Sequence, residues 1–358
     1  MLPLAQALRA TGHEVRWAAA EEVCERLGKE GFDAVRSGRG AAELALIPLP
    51  PPEIAALPVA ERPNFLFAKV FGPRRAEPMI ADLVPIVEDW QPQLLVCDQA
   101  ELAGPIAAAR AGVPNVTHAF GHLLPAQRVA RAGDSVAELW RVQGLEPRPF
   151  AGTYDHLYID IYPPSLQTDD TGHVKNIQLQ RPALIGHDGS RDPLVYITFG
   201  TVWNEELSLF STVVEAAREL PVRVVVTLGP GHDPGELGEQ PANVRVADFI
   251  PQEQLLPECA AVVSHAGSGT FLAALAAGVP QLLLPLAADQ FLNAEAAARG
   301  GVALVLWPGE ASVASVRDAL RSVLADTGLR EAVERVGTEI AAMPPPEAVA
   351  AELARRFG

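Results

Sequence analysis

The stretch from Ala260 to Asn293 leaves this chain few ways to fold. A short apolar run, Ala260-Ala-Val-Val263, ends at His265 and passes through the small-residue turn Ala266-Gly-Ser-Gly-Thr270 into a helical run of alanine and leucine. That is a strand entering a helix through glycines. Gly267 and Gly269 let backbone N–H groups approach an anion without Cβ obstruction, and the helix that follows turns its positive end toward the same point. A phosphate fits there. The next strand, Gln281 to Pro285, delivers Asp289 and Gln290 beside it, an acceptor and an amide able to hold sugar hydroxyls. Phosphate and sugar together point to a nucleotide sugar as ligand.

The same alternation of short apolar runs and helical runs extends over all 358 residues, enough for two domains, each with a core of its own. In the first half the pattern predicts helices over 3–10, 21–30, 101–111 and 126–143, and strands over 13–19, 32–35, 94–97, 113–119 and 157–162. The segment 64–90 reads as helix interrupted at Gly72-Pro73 and Pro78, and the proline-dotted 47–58 as an exposed loop. In the second half strands are expected at 194–199, 222–228, 243–246, 260–263, 281–285 and 302–306, with helices between and after them. The fold class is therefore α/β, two doubly wound Rossmann-like domains. Their expected limits are 1–185 for the N-terminal domain, 186–192 for the linker and 193–342 for the C-terminal domain. Residues 343–358 are expected to form a helix that packs back toward the N-terminal domain. No strand precedes the helix at Pro3, although an alternating fold begins on a central strand, so the first N-terminal strand is expected to be missing.

Composition excludes several roles. A net charge of −16 argues against a nucleic-acid partner, which calls for basic patches. No apolar run approaches the ~18 residues of a membrane span, and Met1-Leu-Pro-Leu-Ala5 lacks the basic start of a secretory signal, so a cytoplasmic protein is expected. Cys24, Cys97 and Cys259 are odd in number and far apart, and they read as buried thiols. No cluster supports a metal site.

Tyr196-Ile-Thr-Phe-Gly-Thr201, Phe249-Ile-Pro-Gln252, the turn Ser264 to Thr270, Gly278-Val-Pro280 and Asp289-Gln290 with Asn293 resemble the GT-B glycosyltransferases of family 1, particularly actinobacterial enzymes that decorate natural products. Pro3 to Val15 and Ile159 to Leu166 resemble the same family, so nearly the whole chain is covered. The resemblance implies an inverting hexosyltransferase-type enzyme of antibiotic biosynthesis. It would move a sugar from a nucleoside diphosphate to an acceptor hydroxyl in an interdomain cleft, without cofactor or essential metal. Its partners would be the nucleotide sugar and a small hydrophobic acceptor, with homodimerisation left open.

Carried over by residue, the resemblance has His265, Gly267, Ser268, Gly269 and Thr270 meet the diphosphate, with Gly200 and Thr201 beneath it. Ile250 would line the base pocket, and Asp289 and Gln290 would grip the sugar. Asp289 also reads as an N-cap of the helix that follows. Where plant members carry a ribose-binding glutamate this chain has Ala273, which favours dTDP over UDP. Asp98 reads either as a helix cap or as the partner orienting a catalytic histidine, because a weakly acidic acceptor hydroxyl needs a base. In the family that histidine sits in the loop after the first strand, ahead of Pro3. The natural reading frame is therefore expected to extend upstream by a strand and a Gly-His loop. His118 and His122, beyond a strand's carboxyl end, are acceptor-pocket candidates, while His13 is structural and His156, His173, His187 and His232 read as surface residues. A non-catalytic nucleotide-sugar binder or accessory protein that lacks the base is the alternative, and a nucleotide-sugar epimerase a third reading.

Overall fold

The computed structural model describes residues 1–45, 54, 56–57, 61–182, 194–200, 207–229 and 232–358. The expected linker 186–192, Thr201, His187 and most of the expected loop 47–58 lie outside the described residues. The chain forms two compact units, one of Met1–Ile161, Asp169–Gln180 and Pro344–Gly358, the other of Tyr162–Thr168 and Arg181–Met343.

The first unit holds two parallel sheets. β1 (Arg16–Ala19) pairs with β2 (Asp33–Arg36), and β3 (Leu95–Asp98), β4 (Asn115–His118), β5 (Leu157–Asp160) and β6 (Ile177–Leu179) form the second in sequence order. Alternating side chains along β3 face opposite helical layers. Val96 lies in a cluster with Leu4 and Ala7 of the helix Leu2–Ala10 and with Val349 and Leu353 of the helix Pro346–Phe357. Leu95 instead joins Leu83 and Val87 of the helix Pro73–Trp90, together with Ala18 of β1. Each such leucine, moved out of water, contributes about 2 kcal/mol.

Three expectations change here. The helix Pro73–Trp90 runs through Pro78 and Pro85 without a break. Each proline forfeits one backbone bond, yet burial of Ala76, Ile80, Leu83 and Val87 along one face holds the helix together. β6 is only three residues, Ile177-Gln-Leu179, too short for its alternation to stand out, and the sequence does not predict it. His173 is not a surface histidine: it packs edge-on against Tyr154 with ring centroids 5.2 Å apart, and its Nε2 lies 3.2 Å from the carbonyl of Leu124.

The second unit is one six-stranded parallel sheet in the order β12 (Ala303–Val305), β11 (Gln281–Leu283), β10 (Cys259–Ser264), β7 (Leu194–Thr198), β8 (Arg223–Thr227), β9 (Val244–Ala247). The chain starts at β7, builds outward through β8 and β9, then crosses to the other side for β10 to β12. β7 and β10 therefore flank the point where the winding reverses, with their carboxyl ends, Thr198 and Ser264, side by side. The strands read as continuous apolar runs because both faces are covered: Val195, Ile197, Val262 and Val263 are solvent-free. Tyr162 belongs to this unit and stacks on Phe271, with ring centroids 6.1 Å apart.

Candidate functional site

At the reversal point two glycines, Gly200 and Gly267, meet one histidine, His265. Gly200 follows β7 with φ at +81°, and His265 follows β10. A Cβ on Gly200 would come within 2.8 Å of His265 Cε1, and one on Gly267 within 2.6 Å of His265 Nε2. Only glycine at both positions admits the ring. His265 is 8% exposed, and its Nδ1 has no protein partner. Burial lowers its pKa to about 4, so the ring is neutral at physiological pH. Beside it starts the helix Ser268–Ala276, whose first N–H groups have no partner within the helix and whose Gly269 has open space where a Cβ would stand. A neutral imidazole and a helix amino end facing one space suit an anion that brings its own charge.

The backbone there is held by side chains from the next βα connection. Ala266 sits at φ +64° and Ala288 at φ +56°, the only non-glycine residues of this unit in left-handed conformation among the described residues. Such a conformation costs about 1–2 kcal/mol per residue, and both occur in loops flanking the histidine. Asn293, fully buried, donates from Nδ2 to the Ala266 carbonyl at 2.8 Å and to Ser268 Oγ at 2.9 Å. Ser268 Oγ in turn donates to Asp289 Oδ2 at 2.7 Å. Gln290 Oε1 accepts from the backbone N–H groups of Leu286 at 2.7 Å and Ala287 at 2.9 Å.

These bonds redistribute the roles expected from sequence. The hydroxyl proton of Ser268 is committed to Asp289, so toward a ligand Ser268 offers its backbone N–H. Gln290 has spent its carbonyl on the loop and retains its amide nitrogen. Asp289 does not cap the helix Gln290–Gly300: its backbone is helical and no helix N–H reaches its carboxylate. Thr270 accepts at Oγ1 from Gln252 Nε2 at 2.7 Å, which leaves its hydroxyl hydrogen free to donate. Ile250 and Ala273 lie together on the cluster built from Leu194, Val262 and Leu256, while Phe249 is 62% exposed. The loop-holding network of Asn293, Ser268 and Asp289 was not read from the sequence. Its only sequence signal is the four-residue spacing of Asp289 and Asn293, which puts both on one helix face.

In the first unit Asp98 ends β3. Its Oδ1 accepts from the backbone N–H of Ala100 at 2.8 Å, so it closes a local turn, whereas Glu101 accepts from Ala103 N–H at the start of the helix Ala103–Ala111. The expectation of Asp98 as a helix cap is thus corrected. Burial raises the Asp98 pKa to about 6 and that of Glu101 to about 7. His118 is held at both ring nitrogens: Nδ1 donates to the Ala119 carbonyl at 2.6 Å and Nε2 meets Gln180 Nε2 at 3.2 Å. Burial lowers its pKa to about 3. His122 is also buried, with Nδ1 2.8 Å from the Leu123 carbonyl. That is the geometry of core histidines. Among the described residues no group of three or more His, Cys, Asp or Glu side chains could hold a metal, and no helix is long and apolar enough to cross a membrane.

The carboxyl of Asp98 makes a testable prediction. Its folded pKa lies above the unfolded value of 3.8, so ionisation costs stability as pH rises from about 4 through 6. Asn at this position still accepts from Ala100 and carries no charge. Asp98→Asn is therefore expected to be more stable than the parent at pH 8 by about 1 kcal/mol, a figure reduced for screening by water in the adjoining cavity, and equal to it at pH 4. Urea denaturation at the two pH values measures this, and an advantage that is the same at both would contradict it.

The family described as erythromycin biosynthesis protein CIII-like matches with its N-terminal domain over residues 6–181 and with its C-terminal domain over residues 211–355. The elloramycin glycosyltransferase ElmGT of Streptomyces olivaceus is 31% identical over all of this chain and 94% of its own length. The L-demethylnoviosyl transferase of Streptomyces niveus is 32% identical over 99% of this chain and 93% of its own. Among solved structures, the glycosyltransferase VinC in complex with dTDP superposes with a TM-score of 0.80 at 28% identity, covering 99% of this chain and 95% of that one.

Proposed function

The chain belongs to the erythromycin biosynthesis protein CIII-like family and is a GT-B glycosyltransferase, and from that premise we propose that it transfers a deoxysugar from dTDP, with inversion, to a hydroxyl of a natural-product aglycone. The observation that carries this reading is the His265 ring seated between Gly200 and Gly267 beside the amino end of the helix Ser268–Ala276. As the bond between the anomeric carbon and the leaving oxygen breaks, negative charge collects on the diphosphate. Donors already aimed there stabilise it most when it is fully developed, which lowers the barrier. In this reading residues 193–342 form the donor half. His265, Gly200, Thr201, Gly267, Ser268, Gly269 and Thr270 meet the diphosphate, Ile250 meets the base, and Asp289 and Gln290 meet the sugar. Residues 1–185 form the acceptor half. There Asp98 would orient the base that takes the acceptor's proton, and the acceptor would lie on the side of His118 and His122.

The preference for dTDP is supported by Ala273, which offers no group to a ribose 2′-hydroxyl and packs with Ile250 on an apolar cluster, and by the dTDP bound to VinC. Titration calorimetry with dTDP and UDP tests it. dTDP is expected to bind about tenfold more tightly, the effect of one desolvated hydroxyl left without a partner. Equal or tighter binding of UDP would sink the preference.

A further inference from the structure

Toward the carboxyl ends of β7 and β8 three buried hydroxyls share one face of the second unit's sheet. Tyr196 and Thr198 stand two residues apart on β7, and Thr227, the register partner of Thr198, ends β8 beside them. The Tyr196 hydroxyl lies 2.8 Å from Thr227 Oγ1, and the side chains of Thr198 and Gln252 also hydrogen-bond to it. Its ring packs in the apolar cluster of Leu255, Val262 and Ala274. Phenylalanine would fill that space equally well, so the hydroxyl, which must be partnered once it leaves water, is the feature that calls for an explanation. Burial pushes its pKa above the usual tyrosine value, and the phenol keeps its proton.

Both ends of this group run to the His265 site. Thr198 Oγ1 accepts the backbone N–H of Gly200 at 3.3 Å, the glycine against which the His265 ring is seated. Gln252, the first residue of the helix Gln252–Leu255, donates from Nε2 to Thr270 Oγ1 at 2.7 Å. A planar amide held at one end is oriented at the other. With one lone pair of Oγ1 taken by Gln252, the Thr270 hydroxyl hydrogen turns away from Gln252 and is free for a ligand.

We propose that Tyr196 is a positioning residue for the donor diphosphate: its hydroxyl holds the Gln252 amide, which in turn sets the Thr270 hydroxyl as a donor to the ligand. The inference rests on the reading of Thr270 as a group that meets the diphosphate, and deepens it. Tyr196 touches no ligand in this arrangement, and its effect passes through two side chains. A donor aimed before the ligand arrives costs no ordering when it binds, whereas a hydroxyl free to rotate gives up part of its bond to that cost.

Titration calorimetry with dTDP on the full chain tests this through a double-mutant cycle. Tyr196→Phe keeps the ring and removes the hydroxyl, and Thr270→Val removes the hydroxyl it is argued to aim. Each is expected to weaken dTDP about tenfold. The double variant is expected to lose no more than about tenfold, because its second change removes a group that the first has already released. A tyrosine that served the fold alone would lower the melting temperature and leave dTDP affinity at the parent value. Gln252→Leu interrupts the same line at a half-buried position and is expected to match the single variants, alone and combined with Thr270→Val. That pair carries the test even where Tyr196→Phe yields no folded protein. Parent affinity in Tyr196→Phe or in Gln252→Leu overturns the proposal, and so do losses that multiply to about 100-fold in either double variant. Failure of the parent itself to bind dTDP overturns the donor reading and this inference with it, so the parent titration tells the two failures apart.

Discussion

Replacing His265 with alanine is expected to cut donor turnover about 100-fold while shifting the melting temperature by only a few degrees. The large effect follows from where the ring sits. It is the one side chain placed against both glycines of the reversal point, and its Nδ1 has no other engagement in the protein. The small effect on stability follows from the same fact, since removing a ring with an unpaired buried nitrogen relieves an unsatisfied polar atom as well as leaving a void. Hydrolysis or transfer of a dTDP-sugar by parent and variant, with thermal melts of both, measures the two quantities. Near-normal turnover would remove the ring from any part in stabilising the leaving diphosphate.

Asn293→Ala is expected to cost about 2–3 kcal/mol of stability and to weaken dTDP binding at the same time. Its amide is the donor that the buried Ala266 carbonyl accepts, and it also steadies Ser268. Without it a buried carbonyl is left unsatisfied, and Ala266 has less reason to stay left-handed. Relaxation of Ala266 would swing the first N–H groups of the helix away from their common focus. Asn293→Asp is the informative companion, because it places a carboxylate beside Asp289 and exchanges a donor for an acceptor. It is expected to be at least as damaging. Urea denaturation and dTDP calorimetry on both variants check the prediction, and full dTDP affinity in a destabilised Asn293→Ala would separate the network from the ligand.

The site's scaffold was legible because the Ala260–Asn293 stretch states its geometry in residue types. An apolar run, two glycines and a helical run of alanine and leucine have few realisations, and β10 with the helix Ser268–Ala276 is one of them. What the sequence concealed was conformation carried by ordinary residues. Alanine gives no sign of positive φ, so Ala266 and Ala288 read as filler, although the loops bend through them. Nor could composition tell that the Ser268 hydroxyl and the Gln290 carbonyl are spent inside the protein, since that depends on which partners the β11 connection brings near. Pro78 misled for a related reason. Propensity counts its missing N–H, whereas the buried face of an 18-residue helix outweighs it.

The central claim, that His265 faces the diphosphate of a nucleotide sugar, is tested most directly by the imidazole itself. Nitrogen NMR of His265 followed as a function of pH, with and without dTDP, reads its protonation state in place. Free, the ring is expected to titrate at about 4, held low by burial. A bound diphosphate favours the imidazolium and should move that value upward by at least about one unit, with the histidine's contribution to dTDP affinity rising as pH falls from about 6 toward 4. An unchanged His265 titration at saturating dTDP would contradict the account.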